Sequence, residues 1–103
     1  MNESLLDKLR KKIDTIDTQI IKNLASRQSV SSKIAQYKKT NNYKIHDPNR
    51  EMLAIRKRCA IASELELEKK YIITIFKVIF SHSKSIQKLI LRKHDDFDKK
   101  DNK

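Results

Sequence analysis

The fold is decided by residues 5–38, which read LLDKLRKKIDTIDTQIIKNLASRQSVSSKIAQYK. No proline or glycine interrupts this segment. Its apolar residues recur at steps of three or four, which is the repeat of an amphipathic α-helix. The segment therefore predicts one long first helix, with Ser4 or Asn2 as its N-terminal cap. The apolar stripe of this helix contains Leu5, Leu9, Ile13, Ile16, Ile20, Leu24 and Ile34.

The length of this helix predicts that one compact domain does not cover its apolar stripe. At 1.5 Å per residue the helix extends about 50 Å, whereas a compact domain of this size has a radius of gyration of only about 13 Å. Such a helix does not bury its whole apolar stripe inside one small domain. It requires either a long coiled-coil arm or a partner chain.

Two further helices are predicted after a polar loop at residues 39–46. Asp47-Pro48 is a start signal, because aspartate caps helix N-termini and proline is favoured at the first helical position. The second helix is predicted to end near Ser63, and a charged connection at residues 64–68 leads to the third helix. The apolar positions of the third helix are Tyr71, Ile72, Ile75, Phe76, Ile79, Phe80, Ile86, Leu89 and Ile90.

The predicted fold class is therefore all-α, a three-helix chain with a long first helix. Residues 1–92 are expected to form one domain. Residues 93–103 are charged and lack a helical repeat, so we expect a disordered tail there.

The composition excludes several functional classes. The chain has 103 residues and no glycine, so it contains neither a P-loop nor a dinucleotide-binding fingerprint. Its single cysteine, Cys59, excludes an intramolecular disulfide and is expected in the core. No signal peptide or membrane-spanning run is present, so we expect a cytoplasmic protein that binds no membrane. No metal site is expected, because no metal-like spacing relates His46, His82 and His94, which we expect at the surface.

The net charge of +11 has two interpretations. It indicates either an anionic partner, such as nucleic acid, an acidic membrane or a small polyanion, or a lysine-rich surface. A compositional bias toward lysine, isoleucine and asparagine accounts for most of the lysines. It does not account for cations that lie on an apolar helix face.

Two such cations, Arg27 and Lys38, fall on or near the apolar stripe of the first helix. They are eleven residues apart, which is about three turns and about 16 Å between Cα atoms. Together they would clamp one small anion, although for each alone a snorkelling side chain or a salt bridge to another helix is the simpler interpretation. Arg10 lies about 25 Å along the helix from Arg27 and about 100° around it. It therefore reaches the same ligand only from a partner subunit.

Other polar residues pair at helical spacing. Asp47 and Glu51 lie four residues apart with Arg50 beside them, although Asp47 alone is equally explained as a cap. Ser83 and Gln87 are a similar pair at the edge of an apolar face, where a surface glutamine is the simpler alternative. No nucleophile with a neighbouring base is evident. Cations and neutral donors without a nucleophile suit the electrostatic stabilisation of an anionic transition state.

Three sequence blocks resemble the all-helical chorismate mutases of the AroQ type. They are LRKKIDTIDTQIIKNLASRQSVSSKIAQYK at Leu9–Lys38, HDPNRE at His46–Glu51, and YIITIFKVIFSHSKSIQ at Tyr71–Gln87. The resemblance covers about residues 5–90. It implies an intertwined helical homodimer that converts chorismate to prephenate in aromatic amino-acid biosynthesis, by a [3,3]-sigmatropic rearrangement that needs no cofactor or metal.

The resemblance also implies residues that hold the two carboxylates of the substrate. Arg27 matches the family's arginine at the centre of the first helix. Arg10 matches the arginine that the partner subunit supplies from the start of its first helix. Ser83 matches a residue that binds a carboxylate.

The remaining roles concern the ether oxygen and the ring hydroxyl of the substrate. Lys38 and Gln87 match the family's two donors to the ether oxygen. Glu51 matches the acceptor of the ring hydroxyl, Asp47 would assist partly through its backbone, and Arg50 would line the site.

The sequence departs from the family where Lys84 replaces a usually apolar residue, and where glycine between the second and third helices is absent. Lys84 would point to solvent, crowd the pocket or add positive charge. The nearest alternative function is an isochorismate-pyruvate lyase of the same fold, which generally lacks the equivalent of Glu51. A basic nucleic-acid-binding module and a pure dimerisation bundle are further alternatives, although Arg27 and Lys38 on an apolar face argue against the former.

Overall fold

The computed structural model describes the backbone of residues 2–43 and 47–101, and the side chains of these residues as far as Arg92. Among them the only regular secondary structure is helical, and no strand is present. The helices are α1 (Leu5–Thr40), α2 (Pro48–Glu64) and α3 (Lys69–Asp101). This confirms the prediction of an all-α chain with three helices and a long first helix. His46 and the side chain of His94 lie outside the described residues.

Side-chain caps begin the first two helices. Ser4 Oγ accepts a hydrogen bond from Asp7 N at 3.1 Å and donates one to Asp7 Oδ2 at 2.8 Å. Asp47 caps α2, since its Oδ1 accepts from Arg50 N at 3.1 Å and Pro48 takes the first helical position. Each cap satisfies a backbone N–H that has no partner within the helix. The start signal predicted at Asp47-Pro48 is therefore confirmed.

Helices α1 and α2 both end in a left-handed residue, without glycine. After α1, Asn42 has φ 59° and Tyr43 N donates to Lys38 O at 2.8 Å. After α2, Glu66 has φ 58° and Leu67 N donates to Ala62 O at 2.8 Å. Both ends have the pattern of a Schellman motif, in which glycine is usual because a Cβ in this conformation costs about 1 kcal/mol.

The chain divides into two units, residues 1–30 and residues 31–103. The first unit holds most of α1, and its leucine and isoleucine side chains are 42% to 72% exposed. The apolar stripe predicted from the sequence is therefore present here but not covered by other residues of this unit.

In the second unit, α2 packs against α3. The hydrophobic side chains buried among the described residues are the small ones of Ala35, Ala54 and Ala62, and none of the large ones is completely buried. Cys59 is half-buried, so it lies at the edge of the core. The guanidinium of Arg58 lies 5.0 Å from the ring centroid of Phe76 and 5.5 Å from that of Phe80, as in a cation–π contact.

The helix boundaries differ from the sequence prediction mainly at the end of α3. α1 continues from Lys38 to Thr40, and α2 ends at Glu64, one residue beyond the predicted end at Ser63. α3 continues to Asp101, well beyond its last predicted apolar position, Ile90. The domain boundary after residue 92 stays a prediction.

Candidate active site

Gln87 is a buried residue on α3 whose amide is held by a hydrogen bond. It is 8% exposed, and its Nε2 donates to Ser31 Oγ, on α1, at 2.8 Å. A buried amide is tolerated when it has such a partner. The simpler interpretation of Gln87 as a surface residue is therefore wrong.

Glu51, in the first turn of α2, is paired with Lys84 on α3. Lys84 Nζ lies 3.1 Å from Glu51 Oε1, and each side chain is about one-third exposed. Lys84 therefore places an ammonium group beside a predicted site residue. The contact joins separate helices, so no local pattern in the sequence indicated it.

Asp47 and Arg50 lie close to Glu51 in sequence and are both exposed. The carboxylate of Asp47 is engaged in capping α2, where it accepts from the backbone of Arg50. Capping therefore accounts for an aspartate at this position without a ligand. The role in substrate binding that the resemblance gives Asp47, partly through its backbone, stays a prediction.

Lys38 is half-buried and lies in the last turn of α1. Its carbonyl accepts the hydrogen bond from Tyr43 N that ends the helix, so the backbone that carries its ammonium group is fixed. A cation near a helix C-terminus is also favoured by the helix dipole. Ser83 is half-buried one turn before Gln87 on α3.

Arg10 and Arg27 belong to the first unit. Arg10 is exposed and Arg27 is half-buried. Both lie on one uninterrupted helix, so about 25 Å of helix separates them within a chain. This separation is the one predicted from the sequence, and it prevents both arginines of one chain from holding the same small molecule.

The second unit thus holds six of the eight predicted site residues, and Gln87 and Glu51 are among those that contact side chains on other helices. Gln87 is joined to Ser31 on α1, and Glu51 on α2 is joined to Lys84 on α3. Ser31 is not among the site residues that the sequence predicted. The one feature of the sequence that could have indicated Ser31 is its hydroxyl, at a position where the apolar stripe of α1 predicts an aliphatic side chain.

The described residues contain no group of three or more histidine, cysteine, aspartate or glutamate side chains placed to hold a metal ion. No helix among them is long and apolar enough to cross a membrane. The donors that are present are an ammonium, guanidinium groups, an amide and hydroxyls, and these groups stabilise negative charge.

Comparison with known proteins identifies the family. Residues 9–88 match the family model of chorismate mutase type II. A chorismate mutase of Methanocaldococcus jannaschii is 33% identical over 92% of this chain and 96% of its own length. The chain therefore belongs to the chorismate mutase type II family, as the resemblance of its three sequence blocks predicted.

Longer relatives share the same region. A bifunctional chorismate mutase/prephenate dehydratase of Buchnera aphidicola subsp. Acyrthosiphon pisum is 38% identical over 89% of this chain. The alignment covers 24% of that relative. The similarity to this protein therefore concerns about a quarter of the bifunctional chain.

Proposed function

We propose that this protein is a chorismate mutase, an isomerase that rearranges chorismate to prephenate in aromatic amino-acid biosynthesis. The observation that carries the proposal is the extent of the family match. It runs over residues 9–88 and so contains all eight residues predicted for the site. We also place the enzyme in the cytoplasm, which its single free cysteine supports.

The reaction takes place within one molecule. The C–O bond of the enolpyruvyl ether breaks while a C–C bond forms, so no atom, proton or electron enters or leaves. Negative charge develops on the ether oxygen as its bond to the ring lengthens. Lys38 and the amide of Gln87 donate to this oxygen, and the loss of one such donor typically costs about 3–4 kcal/mol of transition-state stabilisation.

The other residues select the reactive shape of the substrate. Arg27, Ser83 and the Arg10 of a second copy hold the two carboxylates, so that the reacting ends of the molecule lie close together. Glu51 accepts from the ring hydroxyl, and the backbone of Asp47 and the side chain of Arg50 complete the wall of the site. The net charge of +11 favours the capture of a dianion.

The site requires an intertwined homodimer in this proposal, with each Arg10 supplied to the partner's site. Two observations support it. The apolar side chains of residues 1–30 are largely exposed, which indicates a surface that a second chain covers. No large hydrophobic side chain among the described residues is completely buried, so a single chain has a poor core of its own.

A turnover assay tests the function directly. We expect the protein to remove the ultraviolet absorbance of chorismate and to form prephenate, without added metal or cofactor. A parallel reaction with isochorismate tests the lyase alternative. If salicylate and pyruvate form from isochorismate while chorismate stays unchanged, the protein is a lyase and the proposal is wrong.

A further inference from the structure

Ser31 and Gln87 form a buried polar pair between α1 and α3. They are the buried polar residues among the described side chains, and Ser31 is 7% and Gln87 8% exposed. The donor is Gln87 Nε2, and the acceptor is Ser31 Oγ at 2.8 Å. Burying a polar side chain costs free energy unless it is hydrogen-bonded, and here Ser31 and Gln87 are hydrogen-bonded to each other.

Packing alone does not explain the hydroxyl at position 31. Ala35 lies one turn later on the same side of α1 and is completely buried. An alanine at position 31 would therefore fill a comparable space and would favour the helix more strongly than serine does. The hydroxyl is explained instead by the hydrogen bond that it accepts.

In this bond the amide nitrogen of Gln87, and not its oxygen, faces Ser31. A glutamine amide has two N–H donors on its nitrogen and an acceptor on its oxygen, and rotation about its last bond exchanges their positions. When one N–H is held by Ser31 Oγ, the plane of the amide is fixed. The second N–H of the same nitrogen is then available to another acceptor.

We propose that Ser31 is a positioning residue for Gln87, and that its hydroxyl keeps the second N–H of the Gln87 amide directed at the ether oxygen of the substrate. This inference rests on the proposed function. Without Ser31 the amide is free to turn and to present its carbonyl oxygen, which repels the negative charge of the transition state. Ser31 therefore acts on the rate of rearrangement more than on substrate binding.

The first test compares Ser31→Ala with Ser29→Ala, which removes an exposed hydroxyl from the same helix. We expect Ser31→Ala to lower kcat about 3- to 10-fold, as for the loss of one hydrogen bond, with KM changed less than about twofold. Ser29→Ala should leave both constants unchanged. Circular dichroism and thermal unfolding show that each variant is folded.

A second test uses a readout that a purely structural role would not change. In Gln87→Glu only the protonated acid donates to the ether oxygen, so activity is lost as the pH rises through the pKa of the new carboxyl. The Ser31 hydroxyl donates to the ionised form and lowers that pKa. We therefore expect Ser31→Ala, added to Gln87→Glu, to move the half-loss of activity to higher pH.

The outcomes separate the two proposals. If the unmodified protein does not turn over chorismate, the proposed function fails, and the role of Ser31 fails with it. If it is active but folded Ser31→Ala retains its full kcat, the positioning role is wrong while the function stands. A pH profile of Gln87→Glu that Ser31→Ala leaves unchanged also contradicts the positioning role.

Discussion

The two units of the chain differ in how far the apolar face of α1 is covered by other residues. In residues 1–30 the apolar stripe is exposed, as at Ile13, which is 57% exposed. In the second unit the same helix buries Ala35 completely and joins Ser31 to Gln87 on α3. An amphipathic pattern thus predicts which face will be covered, but it does not show whether the cover comes from the same chain.

The largest effect is expected from Ile20→Lys in the exposed stripe of the first unit. A lysine buried without a partner costs several kcal/mol, so the dimer dissociation constant should rise at least about 100-fold and activity should fall with it. Sedimentation velocity over a range of protein concentrations measures the dimer dissociation constant. Thr18→Lys is the control, since it lies about 160° around the helix from Ile20. An active Ile20→Lys dimer would contradict the proposed interface.

Lys38→Ala should lower kcat about 100- to 1000-fold, because it removes a donor to the ether oxygen. The far-ultraviolet circular dichroism should not change, since Lys38 lies in the last turn of α1. Lys33→Ala, at an exposed position of the same helix, is the matched control. If Lys38→Ala keeps its turnover, Lys38 has no part in the mechanism.

Mixing Arg10→Ala with Arg27→Ala tests whether two chains share each site. Each variant alone should be inactive. After unfolding and refolding together in equal amounts, half of the dimers are mixed and each mixed dimer has one intact site, so about one quarter of the activity should return. The formation of mixed dimers is checked by native mass spectrometry. Mixed dimers without activity would exclude the shared site.

The smallest effect is expected from Lys84→Met, which breaks the pair with Glu51. Both side chains are about one-third exposed, so solvent screens the pair and its loss should lower the free energy of unfolding by less than about 1 kcal/mol. Urea unfolding at low and high salt measures this difference, with Lys88→Met as the exposed control. A loss above about 2 kcal/mol would show that the pair is desolvated in the assembled protein.

Local signals in the sequence predicted most of the fold. The 3.6-residue repeat predicted α1, and Asp47-Pro48 predicted the start of α2, because a helix and its caps depend on residues within a few positions of each other. The absence of glycine was less informative. Asn42 and Glu66 adopt the left-handed conformation without it, since the backbone hydrogen bonds of a Schellman motif offset the local strain.

By itself, the sequence determined the helical class, the family and the eight residues expected in the site, because these depend on periodicity and on blocks of neighbouring residues. Only the tertiary structure decided that Gln87 is buried against Ser31 and that Lys84 meets Glu51. These contacts join helices that are distant in sequence, and their partners are set by how the helices pack. A polar residue at the edge of an apolar stripe is compatible with either a buried or an exposed position until that packing is known.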